Sequence, residues 1–102
     1  RIRDNASAPI AGAPLAVAVV AENQKTRRKE QDACIAATYL MLSAHLYGLG
    51  TCWITDMDRY EIKELLNIPG EDYIACITPI GYPKEFPEVP ARRNTDEFVF
   101  WR

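Results

Sequence analysis

A chain of 102 residues has room for one small domain, which buries roughly 65% of its unfolded surface on folding. Its apolar content of 48% and charged content of 25% are those of an ordinary soluble globular protein. The net charge of −2 comes with basic residues gathered in two clusters rather than spread over a face, which argues against nucleic-acid binding. No apolar run reaches the ~20 residues that span a membrane, and residues 1–7 lack the apolar core of a signal peptide.

The first element follows Pro14. Residues 15–22, LAVAVVAE, are continuous, apolar and rich in valine and alanine, as in a strand buried on both faces. Residues 23–31, NQKTRRKEQ, form a polar, mostly basic loop that leads into a helix start, with Thr26 or Asp32 as early helix residues. The run Lys25, Arg27, Arg28, Lys29 reads as a solvated loop, and it has none of the glycines of a phosphate loop.

Residues 30–47, EQDACIAATYLMLSAHLY, contain no glycine or proline and favour helix. Glu30 and Asp32 stand at the start, where the helix dipole favours negative charge. The middle is apolar on nearly every face, so a buried helix is expected. A chain this short has little material with which to cover such a helix, which points to a partner subunit or a further segment.

Gly48 or Gly50 ends that helix, because glycine accepts a left-handed cap without a Cβ clash. The order helix, glycines, strand is the reverse of a dinucleotide fingerprint. Residues 51–54 then have strand composition. Asp56 or Asp58 is a candidate cap for a helix over residues 58–66, whose Ile62, Leu65 and Leu66 give one apolar stripe. Residues 67–70, Asn-Ile-Pro-Gly, stop it.

Residues 73–81, YIACITPIG, are the third strand. Pro79 lacks a ladder donor and implies an edge, a bulge or an end of pairing there. Beyond Tyr82, three prolines in PKEFPEVPARRN call for extended chain. The closing EFVFWR is too apolar to leave in water, so the tail must pack on its own domain or on a second subunit.

Cys34, Cys52 and Cys76 lie in apolar runs and read as reduced core residues of a cytoplasmic protein, not as a disulfide frame or metal site. His45 and Cys52 lack the local partners of a catalytic group. Trp53 and Trp101 could stack on a ring, but aromatics are commonly core. Arg92 and Arg93 are adjacent in extended chain, so they point opposite ways, and an arginine fork suits phosphate oxygens.

Four strings together resemble the C-terminal half of the nitroreductase family: APLAVAVVAE, DACIAATYLMLSAHLYGLGTCWI, IKELLNIPGEDYIACITPIGYPKE and PARRNTDEFVFW. The resemblance implies an α+β fold with a central, mostly antiparallel sheet flanked by helices, built as an intertwined homodimer. It implies FMN as cofactor, NADH or NADPH as reductant, and two-electron passage to a small-molecule acceptor such as a nitro compound or quinone. In that family the main chain matching Thr55 and Asp56 lies against the flavin near N5, and the basic residues matching Arg92 and Arg93 reach the phosphate, with Arg93 preferred. The family often has glycine, or an acid followed by glycine, at this strand end. Here the residues are Thr-Asp, which adds a Cβ and a negative charge beside an electron-rich ring. Tyr39 stands where the family often has asparagine. The family's N-terminal half carries an Arg-rich cluster with a serine, and an asparagine for the ring. Residues 1–102 therefore resemble a partial domain, expected to bind FMN weakly alone. The competing readings are a non-catalytic module of the same fold, or a flavin-fold enzyme of another outcome such as a dehalogenase.

Overall fold

Residues 74–80 are all buried, and this run lies in the strand at the middle of the sheet. The structure, a computed structural model, describes residues 9–23 and 27–102. The expectations that fall on residues 1–7, Lys25 and Thr26 lie outside the described residues. Strand β1 is Leu15–Ala21, helix α1 Lys29–Leu46, strand β2 Gly50–Thr51, helix α2 Tyr60–Leu65 and strand β3 Tyr73–Gly81, followed by a 3-10 turn at Thr95–Glu97. The three strands form an antiparallel sheet in the order β1-β3-β2. The α+β class and the antiparallel sheet are as the family resemblance implied.

The burial of the strands differs from expectation. β1 lies at the sheet edge with Leu15 and Ala16 exposed and the rest half-buried, so the strand covered on both faces is β3. A bulge places Val19 opposite Cys76 and Val20 opposite Ile74, leaving Ala75 as the extra residue. That extra residue turns Ile74 onto the same face as Ile77. There the two join Ile54, Met57 and Ile62, with Ile10, Ala18, Val20 and Ile68 packed around them. Cys76 and Thr78, both fully buried, face the other way, under α1.

Helix α1 meets the sheet through small residues. Ala33, Ala37 and Ala44 are buried, whereas Ile35, Tyr39, Leu42 and Leu46 are 57%, 68%, 58% and 84% exposed. The helix expected to be buried is thus covered on one side only. Its outward residues recur at spacings of four, three and four, which is one continuous face. Both helices end in the same motif. Gly48, at φ 75°, donates to His45 O at 3.0 Å while Leu49 donates to Ala44 O at 2.9 Å. Asn67, at φ 56°, donates to Glu64 O at 3.2 Å while Ile68 donates to Lys63 O at 2.7 Å. These paired bonds satisfy carbonyls the helices leave open, and glycine and asparagine tolerate the left-handed turn they need.

Among the described residues no helix is long and apolar enough to cross a membrane, and Cys34, Cys52 and Cys76 are free thiols. Cys76 fits the expected core role. Cys52 does not: it is exposed, because the chain leaves the sheet at that point.

Candidate functional site

The strand expected over residues 51–54 is interrupted, and the cause lies in its neighbour. Paired residues on β2 stop at Thr51, and contact with β3 resumes only at the single bridge between Ile54 and Ile77. Ile77 N–H donates to Ile54 O at 3.3 Å, so position 77 directs its hydrogen-bonding groups to the β2 side. Alternate strand positions direct these groups the same way, so position 79 also points to β2. Pro79 has no N–H to offer there. The end of pairing that the proline implied is therefore found on its β2 side, while on the other side Pro79 stays in register with Ala16. Across the gap, the Cys52 N–H bonds the Thr78 side-chain oxygen at 3.2 Å instead of a strand carbonyl, and the Thr78 hydroxyl donates to Pro79 O at 3.2 Å. An open depression next to this end of the sheet is lined by Pro14, Gly50, Pro79, Gly81, Tyr82 and Lys84. A Cβ on Gly81 would stand 3.2 Å from Pro14 Cδ, so the residue must be small for Pro14 to close over the sheet.

Thr55 and Asp56 follow the Ile54 bridge directly, and both are exposed. Asp56 takes φ 61°, the left-handed conformation that an aspartate adopts more readily than most residues but that suits glycine best. The chain therefore makes at Asp56 a turn that a glycine would make. Its carboxylate accepts a hydrogen bond from Arg59 Nη2 in an ion pair. That bond, ahead of the burial that opposes it, holds the Arg59 guanidinium above its usual pKa.

Neither aspartate caps α2. Arg59 holds the N-cap position with no side-chain cap bond. Asp58 reaches across the fold instead, accepting from the Ile74 N–H at 3.0 Å and pairing with Lys63 Nζ at 2.9 Å. Lys63, buried to 9% exposure, also donates to Gly70 O at 2.9 Å. Burial pushes the Asp58 carboxyl up, but the Ile74 N–H and the Lys63 ammonium together outweigh it and hold the carboxyl below its ordinary value. The segment after Ile54 is thereby fixed at both ends: Ile54 bridges Ile77 at its start, and at its close Met57 is in the core and Asp58 is tied to β3.

Arg92 and Arg93 lie in the extended tail just ahead of the 3-10 turn, and both are exposed. The Arg93 guanidinium stands 5.2 Å from the centroid of the Phe98 ring, a cation–π distance. Asn94 caps the turn, its side-chain oxygen accepting from the Asp96 N–H at 3.2 Å. Sequence reasoning named Thr55, Asp56, Arg92 and Arg93 but missed Arg59. The available signal was its position three residues after Asp56, a spacing at which opposite charges meet across a turn.

A three-stranded antiparallel sheet covered by a long helix on one face and a short helix on the other, with a strand broken beside a left-handed aspartate, defines an α+β class of domain whose candidate site is a strand end. The sequence model of the nitroreductase family matches residues 2–82, and the chain belongs to that family. It is 34% identical over 89 residues to an iodotyrosine deiodinase of Thermotoga neapolitana, covering 81% of this chain and 47% of that protein. It is 33% identical over 73 residues to a protein of Archaeoglobus fulgidus provisionally named NADH dehydrogenase/NAD(P)H nitroreductase, covering 65% of this chain and 42% of that one. Among solved structures, an FMN-dependent nitroreductase from Clostridium difficile R20291 superposes with a TM-score of 0.71 at 36% identity, over 87% of this chain and 57% of the other. The chain thus spans about half the length of the curated relatives it matches.

Proposed function

We propose that these residues form part of the FMN site of an NAD(P)H-dependent oxidoreductase of nitroreductase type, active as a cytoplasmic homodimer. The supporting observation is the main-chain turn at Asp56, which takes the glycine-like conformation although the residue is not glycine. A sharp turn at a strand end can bring backbone N–H groups up to the edge of a flat ring, and this chain turns directly after a bridge that anchors Ile54. The donor set fits as well. Two exposed arginines are available, and Phe98 restrains one of them in orientation, which lowers the entropy lost when a guanidinium fork closes on phosphate.

Bound flavin would supply hydride transfer from NADH or NADPH and onward two-electron reduction of a nitro compound, quinone or similar acceptor. The chain's own residues would position and tune. Thr55 and Asp56 would present main-chain groups to the ring edge, Arg59 would balance the Asp56 charge, and Arg92 and Arg93 would hold the phosphate. Homodimerisation is supported by the bare apolar face of α1 and by Phe86, Val89, Phe100 and Trp101, which are 86%, 87%, 72% and 93% exposed.

The test is direct. Purified protein carrying this segment is expected to be yellow and to bleach on addition of NADH or NADPH without oxygen. A protein that stays colourless with added FMN would instead favour a non-catalytic module of the same fold. A second outcome of the same chemistry, reductive dehalogenation, is favoured by the 34% identity to a deiodinase. Iodide released from iodotyrosine faster than a nitroaromatic or quinone is reduced would select it.

A further inference from the structure

Resting on the flavin reading above, we propose that Arg59 is a positioning residue that masks the Asp56 carboxylate, so that this ion pair sets the balance between oxidised and reduced flavin at the strand end. An aspartate is a poor neighbour for a ring that gains electrons, since its charge disfavours the electron-rich form. In this chain every acid of the turn carries a matched cation. Asp56 pairs with Arg59 Nη2, and Asp58 pairs with Lys63 Nζ at 2.9 Å. Among the described residues, Glu61 on α2 also acts on Arg59.

The turn that makes this pairing is closed by its own backbone. Arg59 N–H donates to Met57 O at 2.9 Å, and Met57 is buried in the core. The guanidinium is thus returned over the carboxylate from a fixed base. The side chains of Arg59 and Asp56 are 35% and 58% exposed, so the pair lies at the surface, where a planar ligand can cover it. Covering it expels water and lowers the local dielectric, so the charge that faces the ring counts for more than it does in the open.

Three variants of the FMN-loaded protein test this: Asp56→Asn, Arg59→Gln, and both together. Asparagine tolerates the left-handed backbone, and glutamine keeps the length and helix compatibility of arginine. The readout is the ratio of the FMN dissociation constants in the reduced and oxidised states, which is equivalent to the midpoint potential of bound flavin. Arg59→Gln is expected to shift that ratio against reduced flavin by about fivefold, the size of one partly screened charge. Asp56→Asn is expected to shift it the other way, and the double variant, which removes one charge of each sign, to return near the starting value because the two opposite effects sum to about zero. A merely structural role would weaken both redox forms in both single variants and leave the ratio unmoved. Bound flavin with an unchanged ratio, or with both variants shifting it the same way, overturns the assignment to Arg59 alone. Absence of any bound FMN in the unsubstituted assembled protein that carries this segment overturns the flavin reading itself, and this inference with it.

Discussion

Removing the Asp58 carboxylate takes an acceptor from the Ile74 N–H and a counter-charge from Lys63, which is 9% exposed. A partly buried donor left unpaired costs about 1–3 kcal/mol, so Asp58→Ala is expected to lower stability by about 2 kcal/mol, read by urea unfolding. The same carboxyl predicts a pH dependence. Its folded pKa is depressed, so its contribution is complete above the unfolded carboxylate value of about 3.9 and is lost as pH falls through the folded value. The stability difference between the original protein and Asp58→Asn is expected to shrink as pH drops below about 4, and a difference constant from pH 7 to pH 2.5 would contradict this account. Among the arginines, charge-assisted bonds to phosphate contribute about 1.5–3 kcal/mol. Arg93→Ala is therefore expected to weaken FMN binding by roughly 10–100-fold with little change in melting temperature, and unchanged FMN affinity would remove Arg93 from the site.

Ala37 is fully buried where α1 crosses the sheet. A leucine there has no space to fill and must push helix and sheet apart, at a cost of about 1–3 kcal/mol. Leu42→Ala, on the open side of the same helix, is expected to cost a monomer much less, and a chemical-denaturation comparison of the two variants checks the helix orientation. How legible each element was in the sequence follows from how local its causes are. The bounds of β3 were readable because its apolar run is continuous and bounded by turn residues, and the end of α1 because Gly48 supplies the cap itself. Residues 51–54 have strand composition throughout, yet pairing stops at Thr51, because what interrupts it is Pro79, 28 residues on and on another strand. The candidate cap, Asp56 or Asp58, is not realised for a similar reason: Asp58 accepts from the Ile74 N–H, a partner that only the tertiary fold brings near. Thr55 and Asp56 were identifiable as a strand end, whereas the left-handed turn and the Arg59 pairing depend on backbone geometry that composition does not encode.

On the scale of the whole chain, the radius of gyration is 16.2 Å, against about 13 Å for a compact domain of this length. An extended tail follows Gly81, with residues from 84 to 102 all exposed. The second uncovered surface is the face of α1 formed by Ile35, Tyr39, Leu42 and Leu46. A helix can carry that many exposed apolar residues in water, but a single continuous face of them is better explained by a covering partner, and a second copy is the occupant the proposed function calls for. Leu42 is the place to test this, because it is exposed in one chain and glutamate is nearly as good a helix former as leucine. In a monomer, Leu42→Glu should therefore leave helix content and melting behaviour close to those of the original. In a dimer closed over this face, the substitution loses the burial of a leucine, about 1.5–3 kcal/mol, and also strands a carboxylate in an apolar seam. With each 1.4 kcal/mol worth a factor of ten, dimer dissociation is expected to become at least about 100-fold easier, measured by sedimentation equilibrium or light scattering across a dilution series. If the site is shared between copies, bound FMN falls with the dimer. A substituted protein that stays dimeric at the original concentration would move the interface elsewhere, to the exposed tail.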